Sequence, residues 1–241
     1  MTQDLNRRMI RKIDSYLIRS ARRLHFGWYL QWRNFLTSRF LAKRFALAGP
    51  LNLNIGAGNR PKKGWINTDT TGFSDKFLDA TQHWNFSNSA SYIYCEMVIG
   101  SLNREQLLVF FKNCFAALRP NGALRVVTMN YREICQMYLS GDTPAYDLLK
   151  RHRAKGYPGT FLADILFNAF CSHYGYSANQ RPYGVYVHDE EVIRAALAEA
   201  GFNQVISADV GLSCHTELCN LESRSAPEER LMNLILEATK A

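Results

Sequence analysis

The sequence predicts an α/β fold in which a mostly parallel β-sheet carries α-helices on both faces. Three observations lead to this prediction: strand-like and helix-like segments alternate from residue 51 onward, the first strand ends on a glycine turn, and later strands end on aspartate. Alternation favours parallel pairing because consecutive parallel strands need a crossover connection, which is usually a helix. With 241 residues and 47% hydrophobic side chains, the chain is long enough to bury one sizeable core.

Strands and helices alternate in the predicted α/β domain, which we place at residues 49–241. The strands are expected at 51–55, 65–69, 76–79, 91–95, 123–129 and 204–208. The helices are expected at 104–118, 188–200 and 227–240, with a turn at 119–122 before the fifth strand. Residues 140–186 are less regular and rich in Tyr, Gly and His, so they are predicted to form a lid-like insert.

The first 48 residues are predicted to form a basic helical extension that precedes this domain. Residues 4–46 have the periodicity of two or three helices, and residues 1–46 contain 11 Lys or Arg against 2 Asp, a net charge of +9. The remaining 195 residues carry 18 basic and 19 acidic side chains, so the basicity belongs to the extension. Two interpretations stay open: a cap whose apolar stripe packs on the domain, or an interfacial helix that places aromatic side chains among lipid headgroups.

Several classes of site and location are disfavoured by the composition. Six cysteines are scattered without a C-x-x-C pair, so we expect mostly buried thiols, and no metal ligands are assigned. No apolar stretch reaches the roughly 18 residues of a membrane-spanning helix, and the N-terminal residues lack the pattern of a secretory signal. These features predict a cytoplasmic protein, with peripheral membrane contact through residues 1–46 as an option.

A glycine-rich turn, Asn54-Ile55-Gly56-Ala57-Gly58, follows the first predicted strand. In an open parallel sheet, ligands bind outside the carboxyl ends of the strands, and glycine lets the backbone approach them closely. Position 61 is Pro where a dinucleotide-binding pattern has its third glycine, which disfavours a nicotinamide site. Asp69 and Asp79 end the next two predicted strands. There they can accept hydrogen bonds from ribose hydroxyls and from an adenine amino group, beside the backbone amide of Ala80.

The sequences Leu53-Asn54-Ile55-Gly56-Ala57-Gly58 and Gly64-Trp65-Ile66-Asn67-Thr68-Asp69 resemble the start of small class I S-adenosylmethionine-dependent methyltransferases. Many members of this family are encoded with polysaccharide or natural-product pathways. The resemblance continues through 95–99, 104–118, 118–125, 200–202 and 221–224, and it covers residues 51–139 and 187–224. It implies a Rossmann-like sheet and S-adenosyl-L-methionine as the cofactor.

The resemblance also implies which residues bind the cofactor. The glycine turn would line the methionine end, Asp69 would hold the ribose, and Asp79 would hold the adenine. Cys95 and Met97 would border the sulfonium. All candidates lie at or just beyond the ends of the first four predicted strands: Asn54, Gly56, Ala57, Gly58, Asp69, Thr70, Asp79, Ala80, Cys95 and Met97.

The chain departs from the family pattern after the fourth predicted strand. Members often have Glu-His-Leu there, whose histidine suits a general base for a hydroxyl acceptor, whereas this chain has Gly100-Ser101-Leu102. His173, in the predicted lid, is the preferred replacement, since His188 precedes a helix where capping is the expected role. Aromatic faces for the sulfonium cation are expected from Tyr131, Tyr174 and Tyr176, each of which also suits a packing role. Methyl transfer depends so much on positioning that a base is not obligatory.

These observations predict an S-adenosylmethionine-dependent methyltransferase that acts on a small-molecule, sugar or natural-product acceptor. One alternative keeps the cofactor but uses it for intramolecular cyclisation or lyase chemistry, which the missing Glu-His pair permits. A second is an RNA methyltransferase that binds phosphates through the basic extension, although nucleic acid is disfavoured because no RNA-binding module is recognisable. A third is a non-catalytic membrane-binding or protein-binding module on the same fold.

Overall fold

A seven-stranded sheet forms the centre of the protein in the computed structural model, which describes residues 27–70, 74–172, 186–223 and 226–241. The strands are β1 (Leu51–Ile55), β2 (Ile66–Asp69), β3 (Lys76–Phe77), β4 (Ala90–Glu96), β5 (Leu118–Met129), β6 (Gln204–Ser207) and β7 (Asn233–Thr239). Their order in the sheet is β3-β2-β1-β4-β5-β7-β6. Strands β1 to β5 pair in parallel, whereas β7 is antiparallel to both β5 and β6. The predicted α/β fold with a mostly parallel sheet is confirmed.

Helices precede, connect and follow these strands. They are α1 (Gly27–Ala48), α2 (Arg104–Ala117), α3 (Tyr131–Ser140), α4 (Thr143–Ala154), α5 (Ala163–Phe167), α6 (Glu190–Ala200) and α7 (Pro227–Arg230). Short 3-10 turns occur at Ile99–Ser101 and Thr216–Leu218, and a π-turn occurs at Asn168–Ser172. Helix α2 connects β4 to β5, and α3 to α5 follow the carboxyl end of β5. In the described part of the chain, no helix has both the length and the hydropathy that a membrane span requires.

Polar caps set where several helices begin. Asn103 Oδ1 accepts a hydrogen bond from the Gln106 backbone N–H at 2.9 Å, and the Gln106 side chain accepts one from the Asn103 N–H at 2.9 Å. This reciprocal pair is a capping box that starts α2. Asp142 caps α4 and Asp189 caps α6, each through one carboxylate oxygen. The Asp189 cap explains why α6 begins at Glu190, two residues after the predicted start at 188.

The two faces of the sheet pack against different partners because side chains alternate along each strand. On one face, Ile93 of β4 and Val126 of β5 are buried with Phe110 of α2 and Leu197 of α6, and Leu41 of α1 joins the same core. On the opposite face, a second apolar cluster contains Tyr94, Val127 and Ile235 with Trp65, Ala208, Val210 and Leu221. The partners of the three strand residues in this cluster come from connecting segments, whereas Met129, two residues after Val127 on β5, packs with α3, α4 and α5.

The prediction of a helix at 227–240 is wrong. The segment forms a short helix followed by a strand. Helix α7 spans only Pro227–Arg230, and β7 then pairs along its length with β5 and with β6. In a short, wholly apolar segment, hydrophobic periodicity cannot distinguish a buried strand from a buried helix. The free hydrogen-bonding edges of β5 and β6 decide in favour of a strand.

Two other expectations about secondary structure also need correction. The part of the insert that the structure describes, 140–172, is largely helical, because it contains α4, α5 and the π-turn. The turn predicted at 119–122 lies within β5, where Asn121 has a φ of +62° and the register against β4 shifts between Ala90 and Tyr92. The helices predicted at 4–46 are represented by α1, since residues 1–26 lie outside the described ranges.

The cysteines agree only in part with the expectation of mostly buried thiols. Cys95 and Cys114 are buried, whereas Cys135 and Cys214 are exposed and Cys219 is half-buried. Within the described ranges, no group of three or more His, Cys, Asp or Glu side chains is arranged to hold a metal ion.

Arg125 is fully buried on β5 and is compensated by two buried carboxylates. Its Nε and Nη2 atoms contact Glu222 Oε1 at 2.6 Å, and its Nη1 atom donates to Glu237 Oε1. The carbonyl oxygens of Leu212 and Asp209 accept further hydrogen bonds at 2.9 and 3.0 Å. The guanidinium therefore ties β5 and β7 to the segment 209–222.

We predict that Arg125→Met lowers the free energy of unfolding by about 3–5 kcal/mol, because two carboxylates would lose their buried cation. Urea denaturation followed by circular dichroism measures this change. Lys150→Met is the matched control, since its side chain is 82% exposed, and it should change stability by less than about 0.5 kcal/mol. A similar small change for both variants would contradict a stabilising role for the buried cation.

Candidate functional site

A cavity of about 450 Å³ opens at the carboxyl end of the sheet. It lies where strand order reverses, because the chain runs outward from β1 to β2 and β3 on one side and returns to β4 and β5 on the other. Its lining residues are Ile55, Gly56, Asp69, Thr70, Leu78, Asp79, Ala80, Thr81, Met97, Val98, Ser101, Leu102 and Gln106. Six of the cofactor-binding candidates thus come together here: Gly56, Asp69, Thr70, Asp79, Ala80 and Met97.

A smaller cavity of about 160 Å³ adjoins the first on the other side of the glycine turn. It is lined by Asn54, Gly56, Ala57, Asn59, Arg60, Lys62, Tyr94, Glu96 and Met97. Gly56 and Met97 line both cavities, so they form the boundary between them. Two further candidates, Asn54 and Ala57, lie here, while Gly58 and Cys95 line neither cavity.

Gly56 allows the glycine turn to approach the segment after β4. Its φ is +69°, which disfavours any residue with a side chain. A Cβ atom at this position would lie 2.3 Å from Val98 Cγ2, well inside van der Waals contact. The absence of a side chain at position 56 therefore lets Val98 enter the wall of the larger cavity.

Hydrogen bonds connect the glycine turn to Asp69 and its neighbour Thr68. The backbone N–H of Gly58 donates to Asp69 Oδ2 at 2.8 Å, and the N–H of Ala57 donates to the Thr68 carbonyl at 2.9 Å. Asp69 thereby closes β2 with its carboxylate at the rim of the larger cavity. Gly58, which lines neither cavity, acts on the site through this hydrogen bond.

Asn54 is buried, and its side chain supports the turn from beneath. Its amide Nδ2 donates to Asn67 Oδ1 at 2.9 Å. Asn67 also accepts from the Lys62 N–H at 2.6 Å and donates to the Trp65 carbonyl at 3.1 Å. The pair links the ends of β1 and β2 to the segment 60–65. Sequence reasoning did not single out Asn67, although its place two residues before Asp69 on the same strand was a signal.

Asp79 and its neighbours are held from the N-terminal helix. Asp79 Oδ1 accepts hydrogen bonds from the Thr81 N–H at 2.9 Å and the Thr81 hydroxyl at 2.7 Å. The Asp79 N–H donates to Asn34 Oδ1 of α1 at 2.9 Å, and Asn34 Nδ2 donates to the His83 carbonyl at 3.2 Å. Asn34 is a supporting residue without a local sequence signal, because it lies 45 positions from Asp79.

Met97 lies at the centre of the site, whereas Cys95 does not. Met97 has a φ of +58°, and its N–H donates to the Val127 carbonyl at 2.8 Å. Cys95 is fully buried in the apolar core, and this burial raises the pKa of its thiol. The structure therefore separates these two candidates. Met97 borders both cavities, whereas the side chain of Cys95 packs into the core on one face of the sheet.

Tyr131 begins α3 and packs in the layer behind Met97. It is buried in a cluster with Met129, and Met97 packs against that cluster. Its ring stacks on Phe170 at a centroid distance of 5.1 Å, and burial raises the pKa of its hydroxyl. Among the contacts of the described residues, the buried hydroxyl has no hydrogen-bond partner. The candidates in the predicted lid, His173, Tyr174 and Tyr176, lie outside the described residues.

His188 does not cap a helix, which corrects that expectation, since Asp189 performs this role. Its Nε2 atom lies 2.7 Å from the Leu102 carbonyl, and its ring is buried beside Tyr186 at a centroid distance of 6.5 Å. Burial lowers its pKa below 6.5, while the hydrogen bond to Leu102 acts in the opposite direction. His188 therefore fixes the turn that carries Ser101 and Leu102 into the cavity wall.

The smaller cavity contains opposite charges. Lys62 and Glu96 both line it, and Lys62 Nζ lies 5.1 Å from the centre of the Tyr94 ring. Burial lowers the pKa of Lys62, although the carboxylates of Glu96 and Glu222 raise it. Glu96 accepts hydrogen bonds from the Ser223 hydroxyl at 2.6 Å and the Ser223 N–H at 3.1 Å. Sequence reasoning missed Lys62 and Glu96, because the spacing of 34 residues carries no motif.

No family model and no curated protein matches the chain. Among solved structures, it is similar to the CMeT domain of a citrinin polyketide synthase, with 12% identity, a TM-score of 0.43, and coverage of 80% of this chain and 47% of that one. It is also similar to the S-adenosylmethionine-dependent methyltransferase SibL, with 13% identity, a TM-score of 0.41, and coverage of 85% and 55%. The chain spans about half the length of these two proteins.

A third similar structure has nearly the length of this chain. It is a methyltransferase of Thermotoga maritima described as S-adenosylmethionine-dependent and as a possible histamine N-methyltransferase. It shares 13% identity and a TM-score of 0.45, with coverage of 94% of this chain and 99% of that one. At these identities and TM-scores the likeness carries no information about the reaction, so the site residues must supply it.

We predict that Gly56→Ala destabilises the protein by about 2 kcal/mol or more, because it combines a strained φ with a clash against Val98. Gly64→Ala is a matched control: its φ is +81°, but no atom lies within 4 Å of the new Cβ. It should cost about 1 kcal/mol. Thermal and urea unfolding of both variants measure the difference. Equal losses of stability in the two variants would show that the close contact between Gly56 and Val98 does not contribute to the cost of the substitution.

We predict that His188 makes the protein less stable at acid pH. Since its pKa is lowered in the folded state, the unfolded chain binds the proton more readily below pH 6.5, and stability falls as the pH falls through the folded pKa. Denaturation between roughly pH 7.5 and 5 should therefore show a flatter profile for His188→Gln than for the wild type. Parallel profiles would contradict this assignment.

Proposed function

We propose that the protein binds S-adenosyl-L-methionine in the two adjoining cavities and transfers its methyl group to a small-molecule acceptor. The observation that carries this proposal is the convergence of Gly56, Asp69 and Asp79 on one cavity, at the point where strand order reverses. A volume of about 450 Å³ is within the usual range of small-molecule sites. Pro61 removes the third glycine of a pyrophosphate-binding turn, so a nucleoside without a diphosphate suits the site better.

The larger cavity offers the groups that adenosine requires. In this proposal Asp69, held at the rim by Gly58, would accept hydrogen bonds from the two ribose hydroxyls. Asp79 and the backbone that follows it would bind the adenine amino group and ring nitrogen. Leu78 and Leu102 supply apolar surface for the faces of the purine.

The smaller cavity suits the amino-acid end of the cofactor. A zwitterion needs a cation for its carboxylate and an anion for its ammonium group, and Lys62 and Glu96 in the lining provide this pair. The backbone of Gly56 and Ala57 lines the passage between the two cavities. A molecule with a nucleoside at one end and an amino acid at the other therefore has a complementary group at each end.

When bound, S-adenosylmethionine supplies an electrophilic methyl group on a sulfonium cation. In the proposed orientation Met97 borders this sulfonium, because it lines both cavities. The acceptor would approach from the side of α3 to α5, where Met97 packs against the cluster that contains Tyr131. The contribution of the protein is then to hold both reactants in line and to exclude water.

The acceptor is proposed to be a small molecule, a sugar or a natural-product intermediate bound beneath the insert. His173 stays the predicted general base, and Tyr174 and Tyr176 stay predicted aromatic contacts of the sulfonium, as does Tyr131, which packs behind Met97 and lines neither cavity. The Glu-His pair common in the family is absent, and Ser101 lines the cavity in the corresponding turn. A nucleophilic acceptor such as an amine needs no strong base, which agrees with this departure.

Calorimetric titration with S-adenosylmethionine and with S-adenosylhomocysteine tests the binding step. Asp69→Asn should weaken both ligands by about 10- to 100-fold, because a charged acceptor of two hydrogen bonds becomes neutral. Asp147→Asn, on the exposed surface of α4, is the matched control and should bind as the wild type does. Absence of heat with the wild-type protein for both ligands, together with no thermal shift, would refute the proposal.

Mass spectrometry of the reaction products tests the chemistry. S-adenosylhomocysteine that forms only in the presence of an acceptor library would support methyl transfer. Methylthioadenosine released from the cofactor alone would instead show the intramolecular cyclisation or lyase reaction. Binding without either product over a broad set of acceptors would favour a non-catalytic role for the same site.

A further inference from the structure

Helix α1 exposes large apolar side chains although several polar residues are buried on its inner side. Asn34, Thr37 and Ser38 are buried together with Leu41, and Ala42 and Phe45 pack partly buried against the core. The outer face, which we define by its exposed side chains, consists of Trp28, Trp32, Phe35, Leu36, Phe40 and Leu47. Trp28 is 67% exposed, Trp32 is 51% exposed and Leu47 is 76% exposed. Trp28, Trp32, Leu36 and Phe40 recur four residues apart, and Leu47 follows seven residues after Phe40, so these positions lie along one side of the helix.

Contacts on the inner side fix this orientation. Asn34 binds the backbone of Asp79 and of His83 at 2.9 and 3.2 Å, and Leu41 enters the apolar core. At the edge of the sheet, the guanidinium of Arg33 lies 5.9 Å from the centre of the Phe77 ring of β3. Rotation of the helix would break these hydrogen bonds and withdraw Leu41 from the core. The outer face is therefore presented to the surroundings by the fold.

The charge of α1 has a single sign. Its 22 residues include four basic side chains, Arg33, Arg39, Lys43 and Arg44, and no acidic one. Arg39, Lys43 and Arg44 are exposed and lie on or beside the outer face, and the Arg39 guanidinium lies over the Phe35 ring at 5.7 Å. An apolar stripe interleaved with cations is complementary to an anionic surface that has an apolar interior.

We propose that the outer face of α1 binds the surface of an anionic lipid bilayer, with the helix axis parallel to the membrane. Trp28 and Trp32 would lie at headgroup level, where indole rings are preferred, and Leu36 and Leu47 would enter the acyl boundary. The exposed cations would contact lipid phosphates. Nucleic acid is the weaker occupant, because phosphate recognition uses the cations but gives no reason to expose leucines. This inference does not depend on the proposed reaction.

Co-sedimentation of the full chain with vesicles tests the proposal. We expect binding to vesicles of phosphatidylcholine mixed with phosphatidylglycerol, weaker binding to pure phosphatidylcholine, and a loss of affinity as salt is raised. Tryptophan fluorescence should shift to shorter wavelength on binding, since two of the four tryptophans lie on the outer face. Trp28→Ser combined with Trp32→Ser should weaken binding by about tenfold or more.

Two further variants separate apolar from electrostatic contributions. Arg39→Gln combined with Lys43→Gln should weaken binding to anionic vesicles and reduce its dependence on salt, while binding to neutral vesicles changes little. Leu212→Ser is the matched control, because Leu212 is exposed but lies outside the outer face, and it should bind as the wild type does. All outer-face variants should keep the wild-type melting temperature.

Several results would overturn the proposal. These are no sedimentation with either type of vesicle, or equal binding by the tryptophan variant and the wild type. A concentration-dependent dimer that the tryptophan variant dissolves, without vesicle binding, would assign the face to a second copy of the chain. RNA binding without vesicle binding would assign it to nucleic acid. A large fall in melting temperature for the tryptophan variant would show that another part of the chain covers the face.

Discussion

The close approach of the glycine turn to the segment after β4 is the constraint on which the candidate site depends. At Gly56 there is no room for a side chain, since Val98 Cγ2 would lie 2.3 Å from a Cβ atom. The positive φ at the same residue then directs the next two N–H groups toward the carbonyl of Thr68 and the carboxylate of Asp69. One residue without a side chain thus brings the ends of β1, β2 and β4 around a single cavity.

Buried amide side chains hold the irregular segments that surround this cavity. Asn54 and Asn67 join the ends of β1 and β2, while Asn34 of α1 and Asn113 of α2 bind the backbone of the segment 79–84 from two sides. An amide can donate and accept without carrying a charge, so it satisfies backbone groups away from water at low desolvation cost. The segments around the site are therefore positioned by neutral amide hydrogen bonds together with the carboxylates of Asp69 and Asp79.

Helix α1 connects the site to the surface of the protein. Its inner side binds the backbone of Asp79, which lines the larger cavity, and its outer side exposes tryptophan, phenylalanine and leucine among cations. This arrangement explains why the sequence left two interpretations of the extension open. Apolar residues at helical spacing normally indicate the buried side of a helix. Here the buried side combines Leu41, Ala42 and Phe45, which pack in or against the core, with the hydrogen bonds of Asn34, which no hydrophobic pattern reports.

The sequence by itself determined the strand-to-turn pattern of the first half, the position of the glycine turn, and the acidic residues that end β2 and follow β3, because these features depend on neighbouring residues. Tertiary structure decided what depends on distant partners. The apolar run at 233–239 became a strand because β5 and β6 had edges to pair. Cys95 was directed to the core and Met97 to the cavity by the alternation of β4 and the positive φ after it. Lys62, Glu96 and Asn34 joined the site only through folding, since long-range contacts leave no local pattern in the chain.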